Sequence, residues 1–157
     1  MLLLDNLHQL CIEKGVSVAV AESCTAGLIA LKLTTLSGSS SYFKGGIVAY
    51  QNEIKTKILG VSQSIIDKKT EVSADVVKQM AKSVLEKFDA DFAVATSGYA
   101  GPTGGTNKNP IGTVFIAIAS VEGVVVSRFV FSGNRQSVVN QASESALDLL
   151  YTKIKKQ

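Results

Sequence analysis

The stretch Ser17-Val18-Ala19-Val20-Ala21-Glu22-Ser23-Cys24-Thr25 decides the fold, because it joins a short apolar run to four small polar residues. Small and β-branched residues over 17–21 predict a buried strand. Glu22 to Thr25 resemble a helix start, so a second helix is expected from there to about Leu36. A strand feeding a helix through a polar turn is the building unit of a layered α/β domain.

Working outward, Leu3, Leu4, Leu7, Leu10 and Cys11 recur at helical spacing, which predicts a first helix over Leu2 to Lys14 stopped by Gly15. The serine-rich loop Ser37 to Ser41 precedes a second strand, Gly46 to Tyr50. Asn52 is then the expected N-cap of a short helix ending at Gly60. Val76, Val77, Met80, Val84, Leu85 and Phe88 form one stripe of a helix capped by Ser73. Phe92 to Ser97 is a buried-type strand, followed by a loop, Gly98 to Gly105, rich in glycine and proline. Gly112 to Ser120 and Val124 to Phe131 read as a hairpin turning at Val121-Glu122-Gly123. The last helix runs from about Asn134 to Ile154, with Val138, Val139, Ala142, Ala146, Leu149 and Leu150 inward.

At 157 residues, 46% hydrophobic and 18% charged, the chain has the profile of one compact domain over 1–157. Its net charge of +3 comes mostly from scattered lysines, with Arg128 and Arg135 the only arginines, which argues against a nucleic-acid partner. The opening Met1-Leu2-Leu3-Leu4 is broken by Asp5 and Asn6, unlike a signal peptide. No run approaches the roughly 20 apolar residues of a membrane span. A cytoplasmic protein without a membrane partner is expected. Cys11, Cys24 and the sole histidine, His8, form no ligand pattern, so no metal site is expected.

Ligands of open α/β sheets bind where strands end and helices begin. Three such ends are rich in polar residues: Glu22 to Thr25, Tyr50 to Lys55, and Ser97 to Thr106. Lys55, in the first turn of a helix capped by Asn52, would lose its proton more easily than usual; the plainer reading is a solvated surface lysine. Ser40 taken alone is a loop residue, and Ser23 taken alone an N-cap. His8 lies on the first helix, so a serine nucleophile would need a lysine as its base. Gly98 to Gly105 lacks the phosphate-loop lysine motif, and Arg135 is either a phosphate ligand or an exposed helix-start arginine.

Taken together, Ala21 to Gly27, Gly38-Ser39-Ser40 with Phe43, Gly46, Tyr50, Asn52 and Lys55, Gly98 to Gly105, Pro110 to Val114, and Phe131 to Arg135 closely resemble the CinA C-terminal domain family. The resemblance runs in order over nearly the whole chain and implies a stand-alone domain of that family. It implies an α/β fold, a three-layer α/β/α sandwich with a five-stranded mixed sheet, one strand antiparallel. It also implies hydrolysis of the carboxamide of nicotinamide mononucleotide, a small-molecule pyridine mononucleotide, with no cofactor.

By position, Ser40 falls on the family's catalytic serine and Lys55 on its lysine partner, with Ser23 and Tyr50 orienting them. Ser39, Thr25, Ser97, Gly101, Gly104, Gly105, Thr106 and Arg135 are the expected substrate-binding residues, the Gly101 to Thr106 loop and Arg135 holding ribose and phosphate. Backbone amides of the serine loop are the expected oxyanion donors.

Three departures stand out: Asn109 before Pro110 where the family has lysine, Thr70-Glu71-Val72-Ser73 where many members read Gly-Ala-Val-Ser, and Val139 and Asn140 where further arginine is frequent. They keep open an inactive nucleotide- or partner-binding module, and an amidase for another small amide. Homo-oligomerisation is also left open.

Overall fold

The computed structural model describes residues 2–157. Its centre is a five-stranded sheet in the order β2-β1-β3-β4-β5, formed by β1 (Val18–Glu22), β2 (Phe43–Val48), β3 (Phe92–Gly98), β4 (Thr113–Ser120) and β5 (Gly123–Val130). β1 pairs in parallel with both β2 and β3. β4 runs antiparallel to β3 and to β5, so it is the one reversed strand. β1 and β4 are buried along their whole length, and β3 in all but Gly98, because helices cover both faces.

One covering layer is α1 (Leu2–Lys14), α2 (Leu28–Leu33) and α6 (Arg135–Lys156), whose Leu7, Cys11, Ile29, Leu33, Ala142, Ala146 and Leu150 meet Val18, Val20, Val94 and Ile116 of the sheet. The opposite layer is built on α5 (Ala74–Lys87), which buries Val76, Val77, Met80, Ala81 and Val84 against Ala19, Ala93, Ala95 and Ala117. Small residues on that face of the sheet let the helix approach closely. Each large side chain so buried contributes roughly 1.5–3 kcal/mol. Ser73 caps α5, accepting from Val76 N at 3.3 Å, and Asn134 caps α6, accepting from Ser137 N at 2.9 Å.

Several boundaries differ from expectation for local reasons. The second helix starts at Leu28, because Ala26 and Gly27 take positive φ values of 49° and 98° and hold 23–27 as a loop. Its cap is the fully buried Glu22 carboxylate, which accepts from Ile29 N and Ala30 N at 2.9 and 3.0 Å. It ends at Leu33, where the hydroxyls of Thr34 and Thr35 turn back onto the carbonyls of Ala30 and Leu31. β2 lies earlier than the expected 46–50, and Ser39–Ser41 forms a short 3-10 turn ahead of it. A Cβ on Gly46 would stand 2.3 Å from Val20 Cγ2 and 2.7 Å from Val20 O, so only glycine lets β2 lie against β1 here.

α3 (Asn52–Lys57) has Gln51 rather than Asn52 at its N-cap, and α4 (Gln63–Lys69), which the periodicity did not reveal, packs against α5. The chain leaves β1 through α2 on one face and returns to β3 through α5 on the other. The C-terminal ends of β1 and β3 therefore flank a crevice at the point where the strand order reverses.

Candidate functional site

That crevice is a cavity of about 380 Å³ lined by Ser23 and Cys24 after β1, Tyr50 to Asn52 and Lys55 after β2, Ser97, Gly98 and Ala100 after β3, Glu71 and Val72 ahead of α5, and Arg135 at the start of α6. All three polar strand ends noted in the sequence contribute to it.

Lys55 is only 1% exposed, so it is not a solvated surface lysine. Its Nζ donates to the carbonyl of Tyr50 at 3.2 Å. Burial holds its pKa below the ordinary lysine value, opposed by the nearby Glu71 carboxylate and, more weakly, by Cys24. The cause is desolvation rather than the helix dipole expected from the sequence, for α3 has six residues and Lys55 lies in its last turn as much as its first.

Ser23 is 7% exposed and lines the same cavity. It is not a helix cap: Gly27 occupies the N-cap of α2. Its backbone is pinned at both ends, N–H to Thr96 O at 3.1 Å and carbonyl to Ala26 N at 3.0 Å. Its hydroxyl takes no hydrogen bond among the described residues. The other hydroxyls nearby are committed, Ser97 Oγ donating to the Glu71 carbonyl at 2.7 Å and Thr25 Oγ1 sharing a 2.8 Å bond with Thr96 Oγ1. Burial pushes the Cys24 thiol up to about 12, which leaves it protonated and a weak nucleophile.

Ser40 is elsewhere. It sits in the turn before β2, whereas Lys55 follows β2, and the six-residue strand between them is roughly 17 Å long. Within one chain the expected Ser40 and Lys55 pair does not meet, and Ser39 and the amides of the serine loop lie at that same remote end. Of the expected pair only Lys55 lines this cavity; the serines that share it are Ser23 and Ser97, and Ser97 Oγ is spent on the Glu71 carbonyl.

Arg135 reaches across the mouth, donating to Gly101 O at 2.8 Å and to the Tyr50 hydroxyl at 2.6 Å. The rest of the glycine loop turns away from the cavity. Gly104 packs on the Tyr99 ring and Gly105 on the Ile111 backbone, both at positive φ, while Thr106 accepts from Asn109 N and belongs to a neighbouring hollow.

That hollow, about 580 Å³, is lined by Lys68, Lys69, Lys108, Arg128 and Phe115 among others. It holds no nucleophile beside a buried base. Lys69 pairs with Asp75, and Arg128 donates to Asn109 Oδ1 and to the Lys108 carbonyl. Asn109 thus spends its amide on Arg128 and on Val72 O, as a joint between loops. Val139 and Asn140 lie on α6 within two turns of Arg135, Asn140 bonded to Gln136.

Sequence reasoning missed Glu71 and Val72 as wall residues. The missing signal was α4, whose end at Lys69 turns the chain so that Glu71 and Val72 reach the cavity while Thr70 and Ser73 line the neighbouring hollow. Among the described residues no helix is long and apolar enough to cross a membrane.

The comparisons with known proteins concern the family and the fold. The CinA C-terminal domain family matches residues 2–154. A CinA-like protein of Flavobacterium psychrophilum is 46% identical over 150 residues, covering 96% of this chain and 36% of that protein. A putative competence-damage inducible protein of Halothermothrix orenii is 40% identical over 152 residues, covering 96% of the chain and 37% of its own length. The chain thus spans about a third of the curated relatives it matches. Among solved structures, a CinA superfamily protein from Klebsiella pneumoniae superposes with a TM-score of 0.94 at 32% identity, covering 99% of this chain and 97% of its own. The competence/damage inducible protein CihA from Agrobacterium tumefaciens gives 0.89 at 34% identity, with coverage of 96% and 94%. The chain belongs to the CinA C-terminal domain family.

Proposed function

We propose that the chain is an amidohydrolase that converts the carboxamide of nicotinamide mononucleotide to the carboxylate, releasing ammonia, with Ser23 as nucleophile and Lys55 as base. The observation that carries the reading is the cavity shared by a buried lysine held below its ordinary pKa and an uncommitted serine hydroxyl.

Neutral Lys55 Nζ takes the proton of Ser23 Oγ as that oxygen attacks the carboxamide carbon. The backbone N–H groups of Cys24 and Thr25 donate to no backbone carbonyl among the described residues, and they are the candidate oxyanion donors. Collapse breaks the C–N bond, and Lys55 returns the proton to the departing nitrogen, which leaves as ammonia. Lys55 then deprotonates a water that attacks the ester carbon. Ser23 leaves with its proton restored, and nicotinic acid mononucleotide is freed.

Arg135, oriented by Tyr50 and Gly101, suits the phosphate end of such a substrate. The reading fits a cytoplasmic setting, where the free thiols of Cys11 and Cys24 stay reduced. The test is turnover of purified protein with nicotinamide mononucleotide: ammonia and nicotinic acid mononucleotide should appear in equal amounts over many cycles. Binding without ammonia release would instead mark a nucleotide-binding module.

A further inference from the structure

Three charged side chains line the cavity, Lys55, Arg135 and Glu71. Two have partners: Lys55 bonds to the Tyr50 carbonyl, and Arg135 to Tyr50 and Gly101. The carboxylate of Glu71 is half-buried yet takes no hydrogen bond and no ion pair among the described residues. Only its backbone is used, the carbonyl accepting from Ser97 Oγ.

The backbone that presents it is strained. Thr70, immediately before, holds φ 66° and ψ 168°, a region nearly confined to glycine, steadied by its hydroxyl on Val72 O at 3.3 Å and by the Tyr99 hydroxyl at 3.5 Å. An unpaired carboxylate on the cavity wall offers a counter-charge to a cationic ligand.

The position of Glu71 says which part of the ligand. It is the charged group that acts most strongly on Lys55, ahead of Cys24 on the loop after β1. Glu71 shares the cavity wall with Ser23 and Lys55, its carbonyl accepting from Ser97 Oγ at the end of β3, while Arg135 is tied to Tyr50 and Gly101. The ring bearing the carboxamide is one bond from the carbon that Ser23 attacks.

When Lys55 is neutral, as a base must be, Glu71 loses the compensating charge of the lysine on which it acts. We propose that Glu71 is a specificity-determining residue that selects substrates whose amide-bearing ring is positively charged, such as an N-ribosylated pyridinium, over neutral amides. The inference rests on the amidohydrolase reading. A cationic ring also screens Glu71 from Lys55, so the substrate itself eases deprotonation of its base.

The test compares nicotinamide mononucleotide with its reduced dihydropyridine form, which lacks the ring cation. Affinities are measured by calorimetry on Ser23→Ala protein, which cannot turn over, and on Ser23→Ala/Glu71→Gln. The cationic form should bind about tenfold more tightly to the first, as expected for one unit charge partly screened by solvent. The preference should vanish in the second. In otherwise unaltered protein, Glu71→Gln should move the acid limb of kcat/KM to lower pH, because the carboxylate raises the Lys55 pKa. Equal affinities in the Ser23→Ala protein, no binding of either form, or a preference that survives Glu71→Gln would overturn the proposal. Failure of the amidohydrolase reading looks different: the charge preference persists while unaltered protein releases no ammonia.

Discussion

Arg135 donates a 2.6 Å hydrogen bond to the hydroxyl of Tyr50, tying the first residue of α6 to the chain just beyond β2 across one edge of the cavity. The same guanidinium donates to Gly101 O, so its plane is fixed from two sides. An arginine held in this way meets a phosphate without first being ordered. Arg135→Ala should raise KM for nicotinamide mononucleotide about 10- to 100-fold, the worth of a hydrogen bond to a charged group, with a smaller change in kcat. Tyr50→Phe should raise it less. Steady-state kinetics on the mononucleotide and on the unphosphorylated riboside check this, since the riboside should be nearly indifferent to Arg135→Ala.

Lys55 carries two linked expectations. As a base active when neutral, it should make kcat/KM rise with pH through a value below that of ordinary lysine, and Lys55→Arg should abolish that limb along with the activity. Its burial also costs stability. A lysine whose folded-state pKa is depressed penalises the fold fully below that pKa, and the penalty fades as pH rises toward the unfolded-state value. Lys55→Met should therefore raise Tm at neutral pH by on the order of 3 °C, about 1 kcal/mol, with a smaller gain at alkaline pH. Thermal melts at several pH values give the comparison.

At Thr70 the φ of 66° with ψ of 168° suits glycine, and the three hydrogen bonds of its hydroxyl are long, 3.3 to 3.5 Å. Thr70→Gly should relieve strain worth about 1–3 kcal/mol, partly offset by the entropy glycine adds to the unfolded chain. A net gain of about 1 kcal/mol in urea unfolding is expected, with looser control of Glu71 seen as a reduced preference for the cationic ring.

Glu22 is fully buried and receives the first N–H groups of α2, a role the sequence does not distinguish from ligand binding. Glu22→Ala strands two donors inside the protein. The cost should be about 2–5 kcal/mol, read as a lower urea midpoint with unchanged slope. A variant that melts with the native protein would show that water can replace the carboxylate there.

Much of this architecture was legible because long elements announce themselves. The stripe Val76 to Val84, the β-branched runs of β3 to β5, and Asn134 as a cap all follow from local chemistry, and the structure keeps their boundaries within a residue or two. α4 was not legible, since its seven residues bury only Ile66 and show little periodicity. The three strand ends were visible as polar clusters, and parallel strands bring their ends together at one edge of the sheet. Which serine faces the lysine was not visible. Ser23 looked like a cap, and only the positive φ of Ala26 and Gly27, which delays α2, frees it from that role. Ser40 matched a pattern of residue types but sits before β2 instead of after it.

The choice between those two serines is therefore the sharpest test of the account, and it is read by ammonia release from nicotinamide mononucleotide with Ser23→Ala and Ser40→Ala proteins side by side. Ser23→Ala should lose at least about a thousandfold in kcat while still binding the nucleotide, and Ser40→Ala should stay within a few-fold of the unaltered protein. A Ser23→Ala protein that turns over normally, or a Ser40→Ala protein that is inactive though folded, would contradict it.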